Sequence, residues 1–223
     1  MSEYHTVKNN FQLKDISEAG KFSFKLQLKC FGDLVVSSIG LVAMLPLLLL
    51  ISLLIKFDSP GPIFHKQYRV GLKGHQFYMW KFRTMVQNAI ELQPELESEN
   101  HASGGVLFKI PDDPRITRVG KFLRRYSLDE LPQIINVLQQ DMSLVGPRPL
   151  VLRDVARLPE NLFFRHDVLP GITGLWQVKG RSSLRSEEIF YWDSLYIDRW
   201  SISLDLHILW QTIGVVFKGD GAY

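Results

Sequence analysis

The chain has 223 residues, with 26 Lys and Arg against 23 Asp and Glu (formal net charge +3) and one cysteine, Cys30. So mild a charge gives no reason to expect a nucleic-acid partner, and a lone cysteine excludes an intrachain disulfide and suits a cytosol-facing protein. The length allows one domain with an accessory segment.

Residues 1–29 read as a polar, mixed-charge leader without the positive, apolar, small-residue series of a cleaved signal peptide. Residues 30–58 hold the only long apolar run, Leu34 to Ile55. As a helix it would span roughly 33 Å, enough to cross a bilayer core. Pro46 near its middle removes a backbone bond and kinks such a helix. Both flanks are basic: Lys8, Lys14, Lys21, Lys25 and Lys29 precede the run, and Lys56, Lys66, Arg69, Lys73, Lys81 and Arg83 follow it. Basic residues favour the cytoplasmic face, so a bent, re-entrant helix satisfies both ends. On the residues alone, spanning and re-entrant topologies both stand.

Residues 59–223 read as a small cytosolic domain, opened by the turn Ser59-Pro60-Gly61-Pro62. Two short strands, PIFHKQYRVG and HQFYMWKFRTM, flank Gly71-Leu72-Lys73-Gly74 as a β-hairpin. Val86 to Asn100 is acidic and reads as a solvated helix, and His101 to Asp113 reads as a loop. A helix is expected from Pro114 to Leu123, with Arg115, Arg118, Lys121 and Arg125 along one face. That stripe is solvated or lies on anionic lipid head groups.

Next comes RRYSLDELPQIINVLQQDMSLVGPRP, residues 124 to 149. Ser127 to Glu130 fits a capping box. Pro132 opposes that register, and a helix starting near Asp129 puts it harmlessly in the first turn. In this second register Asp129 and Glu130 sit at the positive end of a helix, where carboxylate pKa values fall. Taken alone the pair is a helix cap and a first-turn acid. Surrounded by arginines, it suits a site that handles phosphate and a divalent metal. Ile134 to Leu138 is apolar and expected to be buried.

Pro170-Gly171-Ile172-Thr173-Gly174 reads as a Gly-rich turn before a short strand, Leu175 to Val178. The aromatic-rich tail from Ile189 to Phe217 reads as amphipathic interfacial helices, with a buried core helix as the alternative. His65, His75, His101, His166 and His207 lack zinc-site spacing. Asp112-Asp113 before Pro114 reads as a helix-capping turn rather than a glycosyltransferase metal pair. Adjacent Asp129 and Glu130 do not suit a glycosidase, whose two carboxyls flank the scissile bond.

From Lys29 onward the motifs form an ordered series. They are Asp33, Pro46, Lys81-Phe82-Arg83-Thr84-Met85, Ser127-Leu128-Asp129-Glu130-Leu131, Asp141 to Pro149, Pro170 to Gly174, and Gly180-Arg181. This series resembles the bacterial sugar transferases known as monotopic phosphoglycosyl transferases (polyprenyl-phosphate hexose-1-phosphate transferases). It departs from them at Leu45, where a serine commonly precedes the proline, and at Cys30, where a basic residue can follow Lys29. It also implies a member without the additional N-terminal membrane domain of larger ones.

The resemblance implies an α+β fold with a re-entrant membrane helix at the cytoplasmic face of the bacterial inner membrane. It implies transfer of a hexose 1-phosphate from a UDP-sugar to undecaprenyl phosphate with release of UMP, an opening step of exopolysaccharide, capsule or lipopolysaccharide O-antigen assembly. Asp129 matches the nucleophile and a ligand of Mg2+, and Glu130 matches the second acid of the dyad. Arg124, Arg148 and Arg181 are the cations assigned to phosphates, since guanidinium forks match phosphate oxygens. The lipid bilayer is the expected partner, with a homo-oligomer left open. Two other functions compete: a non-catalytic membrane-tethered adaptor of the same fold, and a glycosyltransferase that releases UDP.

Overall fold

The computed structural model describes residues 24–92, 113–180 and 184–219. The fold is α+β, with one long apolar helix rooted in a small domain. Helix α1 (Phe24–Asp58) contains the whole Leu34–Ile55 run, extends past both its ends and carries Pro46 inside it. Because Pro46 has no N–H, the Val42 carbonyl loses its helical donor. The hydroxyls of Ser38 and Ser52 donate back to the carbonyls of Leu34 (2.8 Å) and Leu48 (2.7 Å), so neither is unpaired.

Both ends of α1 are held by the same body. Near its start, Lys29 donates to the Val145 carbonyl and to Asp205, while Asp33 accepts from the Ser143 hydroxyl at 2.6 Å. Near its end, Ile51 and Ile55 are buried with Phe82 and Leu123. The buried Arg83 guanidinium closes that end by donating to the carbonyls of Ile55, Ser59 and Pro62. Between these anchors Val42, Leu49 and Leu53 remain exposed.

The expected hairpin is present as β1 (Phe64–Val70) and β2 (Gln76–Phe82), antiparallel, with His65 opposite Lys81. Strand alternation puts Phe77, Met79 and Lys81 on one face. Phe77 and Met79 fill a core with Val137 and Met142. The Asn136 amide clips the outer edge of β2, accepting from the Trp80 N–H and donating to the Tyr78 carbonyl.

Several sequence expectations shift. Gln87 to Leu92 forms turns rather than the start of an acidic helix, and the rest of that stretch with its following loop lies outside the described residues. Helix α2 (Arg118–Arg125) begins four residues later than Pro114, capped by the Thr117 hydroxyl. Arg115 therefore leaves the basic stripe; it is buried and grips Asp113, whose carboxylate takes that guanidinium instead of capping a helix. Asp112 lies outside the described residues. Arg118, Lys121 and Arg125 stay exposed. A Cβ at Gly120 would stand 2.1 Å from the Thr84 carbonyl oxygen, so only glycine lets α2 dock on the end of β2.

A six-residue 3₁₀ turn (Leu128–Gln133) leads into the buried helix α3 (Ile134–Leu138). Strand β3 (Ser143–Val145) then pairs in parallel with β4 (Gly171–Thr173). The expected Gly-rich turn is thus a strand, and the expected strand at Leu175 is helix α5 (Leu175–Lys179). A Cβ at Gly171 would lie 2.0 Å from the Gly146 nitrogen, which accounts physically for glycine in this motif.

Short helix α4 (Leu152–Val155) and a 3₁₀ segment (Glu160–His166) precede the tail helices α6 (Ser186–Asp198) and α7 (Ile202–Lys218). Tyr196 and Ile208 pack inward on Val145 and Leu175. Leu206, Trp210, Ile213 and Phe217 form an exposed stripe at helical spacing along α7. The tail is thus amphipathic, with one face in the core and an apolar face left exposed.

Candidate active site

The dyad is carried by the 3₁₀ turn. The chain leaves α2 through Ser127, which adopts the left-handed region (φ 52°) and makes no side-chain cap. The capping box is therefore absent, and the Glu130 side chain reaches across to β2 instead of back to Ser127. On either side of the acids, Leu128 and Leu131 insert into the apolar cluster that holds Ile51 and Ile55 of α1. The two carboxylates stand at the root of the apolar helix α1.

Glu130 is fully engaged. Lys81 donates to its Oε1 at 2.7 Å, and Arg148 forks onto both oxygens, with Nη1–Oε2 at 3.1 Å. Burial alone would raise the Glu130 pKa, yet Arg148 and Lys81 hold it far below the carboxylate range. Burial likewise favours a neutral Arg148, and Glu130 overrides it and raises the guanidinium pKa.

Asp129 differs. It is 7% exposed, its carboxylate takes no hydrogen bond from any described residue, and its ion pair is with Lys81 at 3.7 Å. Desolvation pushes its pKa up, with the Glu130 charge adding and Lys81, Arg124 and Arg148 opposing. The expectation that a helix terminus lowers both pKa values fails. Burial sets Asp129 and direct cations set Glu130; both acids also share one ammonium, Lys81.

Arg124 lies within electrostatic range of Asp129, and its Nε donates to the Thr84 hydroxyl at 2.9 Å. Arg181 lies outside the described residues. Lys81 and Arg69 belong to this site; from sequence Lys81 entered only as the first residue of a strand motif, and neither was given a site role. Arg69 sits beside Arg148 and Glu130, where burial and then the Arg148 charge lower its pKa to about 9. The available signal was the β2 alternation, which ends an otherwise apolar face on the charge of Lys81.

Among the described residues no three His, Cys, Asp or Glu side chains gather as a metal cage. Mg2+, the ion the resemblance implies, commonly takes one or two carboxylates and completes its shell with water and substrate phosphate oxygens. Asp129, which accepts no hydrogen bond from a described residue, is the carboxylate able to take that place.

Residues 24–219 match the family model described as bacterial sugar transferase. The chain belongs to that family. It is 43% identical over 199 residues to an uncharacterised sugar transferase of Haemophilus influenzae, covering 88% of this chain and 42% of that protein. It is 42% identical over 199 residues to an undecaprenyl-phosphate galactose phosphotransferase of Salmonella typhimurium, with the same coverage of 88% and 42%. To the exopolysaccharide production protein ExoY of Sinorhizobium fredii it is 38% identical over 194 residues, 86% of each chain. The chain thus spans 42% of the length of the first two relatives and most of the third.

Proposed function

We propose that this family member transfers a hexose 1-phosphate from a UDP-sugar to undecaprenyl phosphate at the cytoplasmic face of the inner membrane. The observation that carries this reading is the state of Asp129: a buried carboxylate that accepts no hydrogen bond from a described residue, among Lys81, Arg124 and Arg148, at the foot of an apolar helix. An Asp129 oxygen attacks the β-phosphorus. The bond from that phosphorus to the bridging oxygen breaks, and UMP leaves with the electron pair. A phosphate oxygen of the polyprenyl acceptor then attacks the same phosphorus and frees Asp129.

Arg148, Arg124 and Lys81 oppose the charge of the diphosphate throughout. Bound at Asp129, Mg2+ would supply further charge neutralisation to the diphosphate oxygens. Glu130, depressed in pKa and held by two cations, is suited to organising charge rather than to exchanging protons.

A re-entrant α1 is part of the proposal. Lys29 and Asp33 at one end and Ile55 at the other engage the same domain, whereas a spanning helix would part those ends by about 30 Å of hydrocarbon. This topology holds Asp129 at the bilayer surface, where a lipid-borne phosphate arrives. The exposed apolar stripe of α7 fits the same interface.

The test is a screen of UDP-sugars with undecaprenyl phosphate in a membrane mimetic, identifying the nucleotide released. UMP supports phosphosugar transfer; UDP would mean transfer of the sugar alone; no nucleotide would favour an adaptor.

A further inference from the structure

Resting on the reading above, a second question is what aims Arg148. Its neighbours Pro147 and Pro149 have no N–H, so two of the turn's backbone donors are missing and its carbonyls take on the larger share of fixing it. Four successive carbonyls are held by four different donors. Pro147 accepts from the Gly171 N–H at 3.0 Å and Leu150 from the Val70 N–H at 3.0 Å. Between them, the Arg148 carbonyl accepts from Arg165 Nη2 at 2.9 Å and the Pro149 carbonyl from Arg69 Nη1 at 2.9 Å.

Arg165 is unusual as a donor. Its side chain and that of Asp193 are each 2% exposed and ion-paired at 2.7 Å, with the guanidinium over the Phe190 ring at 5.5 Å. Its Nε and Nη1 are buried with no hydrogen-bond partner among the described residues. A buried ion pair is weak evidence of stabilisation, and orphaned N–H groups cost more still. Fold stability alone gives a poor reason to keep this arrangement.

We infer that Arg165, braced by Asp193 from α6, is a positioning residue for the transfer reaction: it fixes the backbone of Arg148 so that the guanidinium meets the diphosphate in one geometry. Arg69 is the matching clamp one carbonyl later. Neither arginine needs to touch substrate for this.

The test is a double-mutant cycle on the full chain in a membrane mimetic, read as kcat and KM for UMP release beside thermal unfolding. Arg165→Lys keeps the charge for Asp193 but cannot reproduce the fork. It should keep the wild-type unfolding midpoint within a few degrees and lose on the order of 100-fold in kcat, the usual cost of about 1 Å of misplacement. In the Arg148→Ala background the same substitution should cost almost nothing further, because its effect passes through Arg148.

Should Arg165→Lys fail to fold, Asp193→Asn, which leaves the guanidinium in place, carries the same cycle. Losses that add in the double variant, or activity that follows the unfolding midpoint, would overturn the positioning role. Wild-type enzyme that releases no UMP from any UDP-sugar would count against the functional reading instead, so the two failures are distinguishable.

Discussion

Arg148 holds both carboxylate oxygens of Glu130, so the cation best shaped for a substrate phosphate is already paired inside the protein. Glu130 occupies the place of an anion that has yet to arrive. A diphosphate entering the site must share or displace that partner, and Lys81 on the same oxygen must re-divide its charge as well. The dyad is asymmetric in consequence: Glu130 arranges the cations, and Asp129 is left open.

Glu130→Gln should separate these roles. The amide keeps the shape but gives up the charge that Arg148 and Lys81 share. UMP release should fall by on the order of 100-fold in kcat, while KM for the UDP-sugar stays level or drops because the cations lose a competitor. Steady-state kinetics on the folded variant checks this. A rise in KM with unchanged kcat would mean that Glu130 itself holds substrate.

The pH dependence follows from the opposite shifts of the two acids. Asp129 is raised by burial and attacks only when ionised, so activity should fall on acidification earlier than an ordinary carboxylate would dictate. Glu130 is depressed, so its contribution to stability is complete above the unfolded-state value and is lost only as pH falls through the much lower folded value. Acid should therefore stop UMP release while the protein is still folded. Lys81→Met removes a charge that opposes the Asp129 shift, and it should move the acidic limb of kcat/KM to higher pH. A limb that stays in place would disconnect Lys81 from the nucleophile.

How much of this was legible in sequence depended on the range of the interaction. The hairpin could be read because alternation and the Gly71–Gly74 turn are local, and the dyad and the Pro-Arg-Pro turn because each is a compact motif. Lys81 reaches Glu130 across 49 positions, and only the hairpin register brings it there. Arg165 and Asp193 look like ordinary surface charges until α6 folds over them. The strand expected at Leu175 failed because a short apolar run has no length to separate strand from helix. The capping box, which Pro132 already opposed, does not form because the left-handed backbone of Ser127 breaks the register it needs.

Topology has its own test. In a Cys30→Ser background, single cysteines placed at Phe24 and at Lys73 should both be shielded from an impermeant thiol reagent in intact cells and both react once the membrane is opened. Phe24 is 78% exposed and Lys73 is the exposed residue of the hairpin turn, so both sites are open to reagent. Labelling of one position alone from outside would establish a spanning helix. Pro46→Leu restores the missing donor to the Val42 carbonyl and should shift a fraction of molecules toward that pattern.

The decisive variant is Asp129→Asn. Asp129 neither caps the turn nor accepts a hydrogen bond from a described residue, and burial disfavours its charged form. Neutralising it should therefore leave the unfolding midpoint unchanged or higher, as happens when a site tuned for reactivity is relieved of a desolvated charge. UMP release should nevertheless disappear, because an amide is a poor attacker on phosphorus and a poor ligand for Mg2+. Wild-type protein given UDP-sugar without lipid acceptor should release UMP to about one equivalent and carry the phosphosugar on Asp129, a burst expected of covalent catalysis. Mass spectrometry of a rapidly quenched digest would locate the adduct. Near-normal turnover in Asp129→Asn, or an adduct on any other residue, would take the nucleophile away from Asp129.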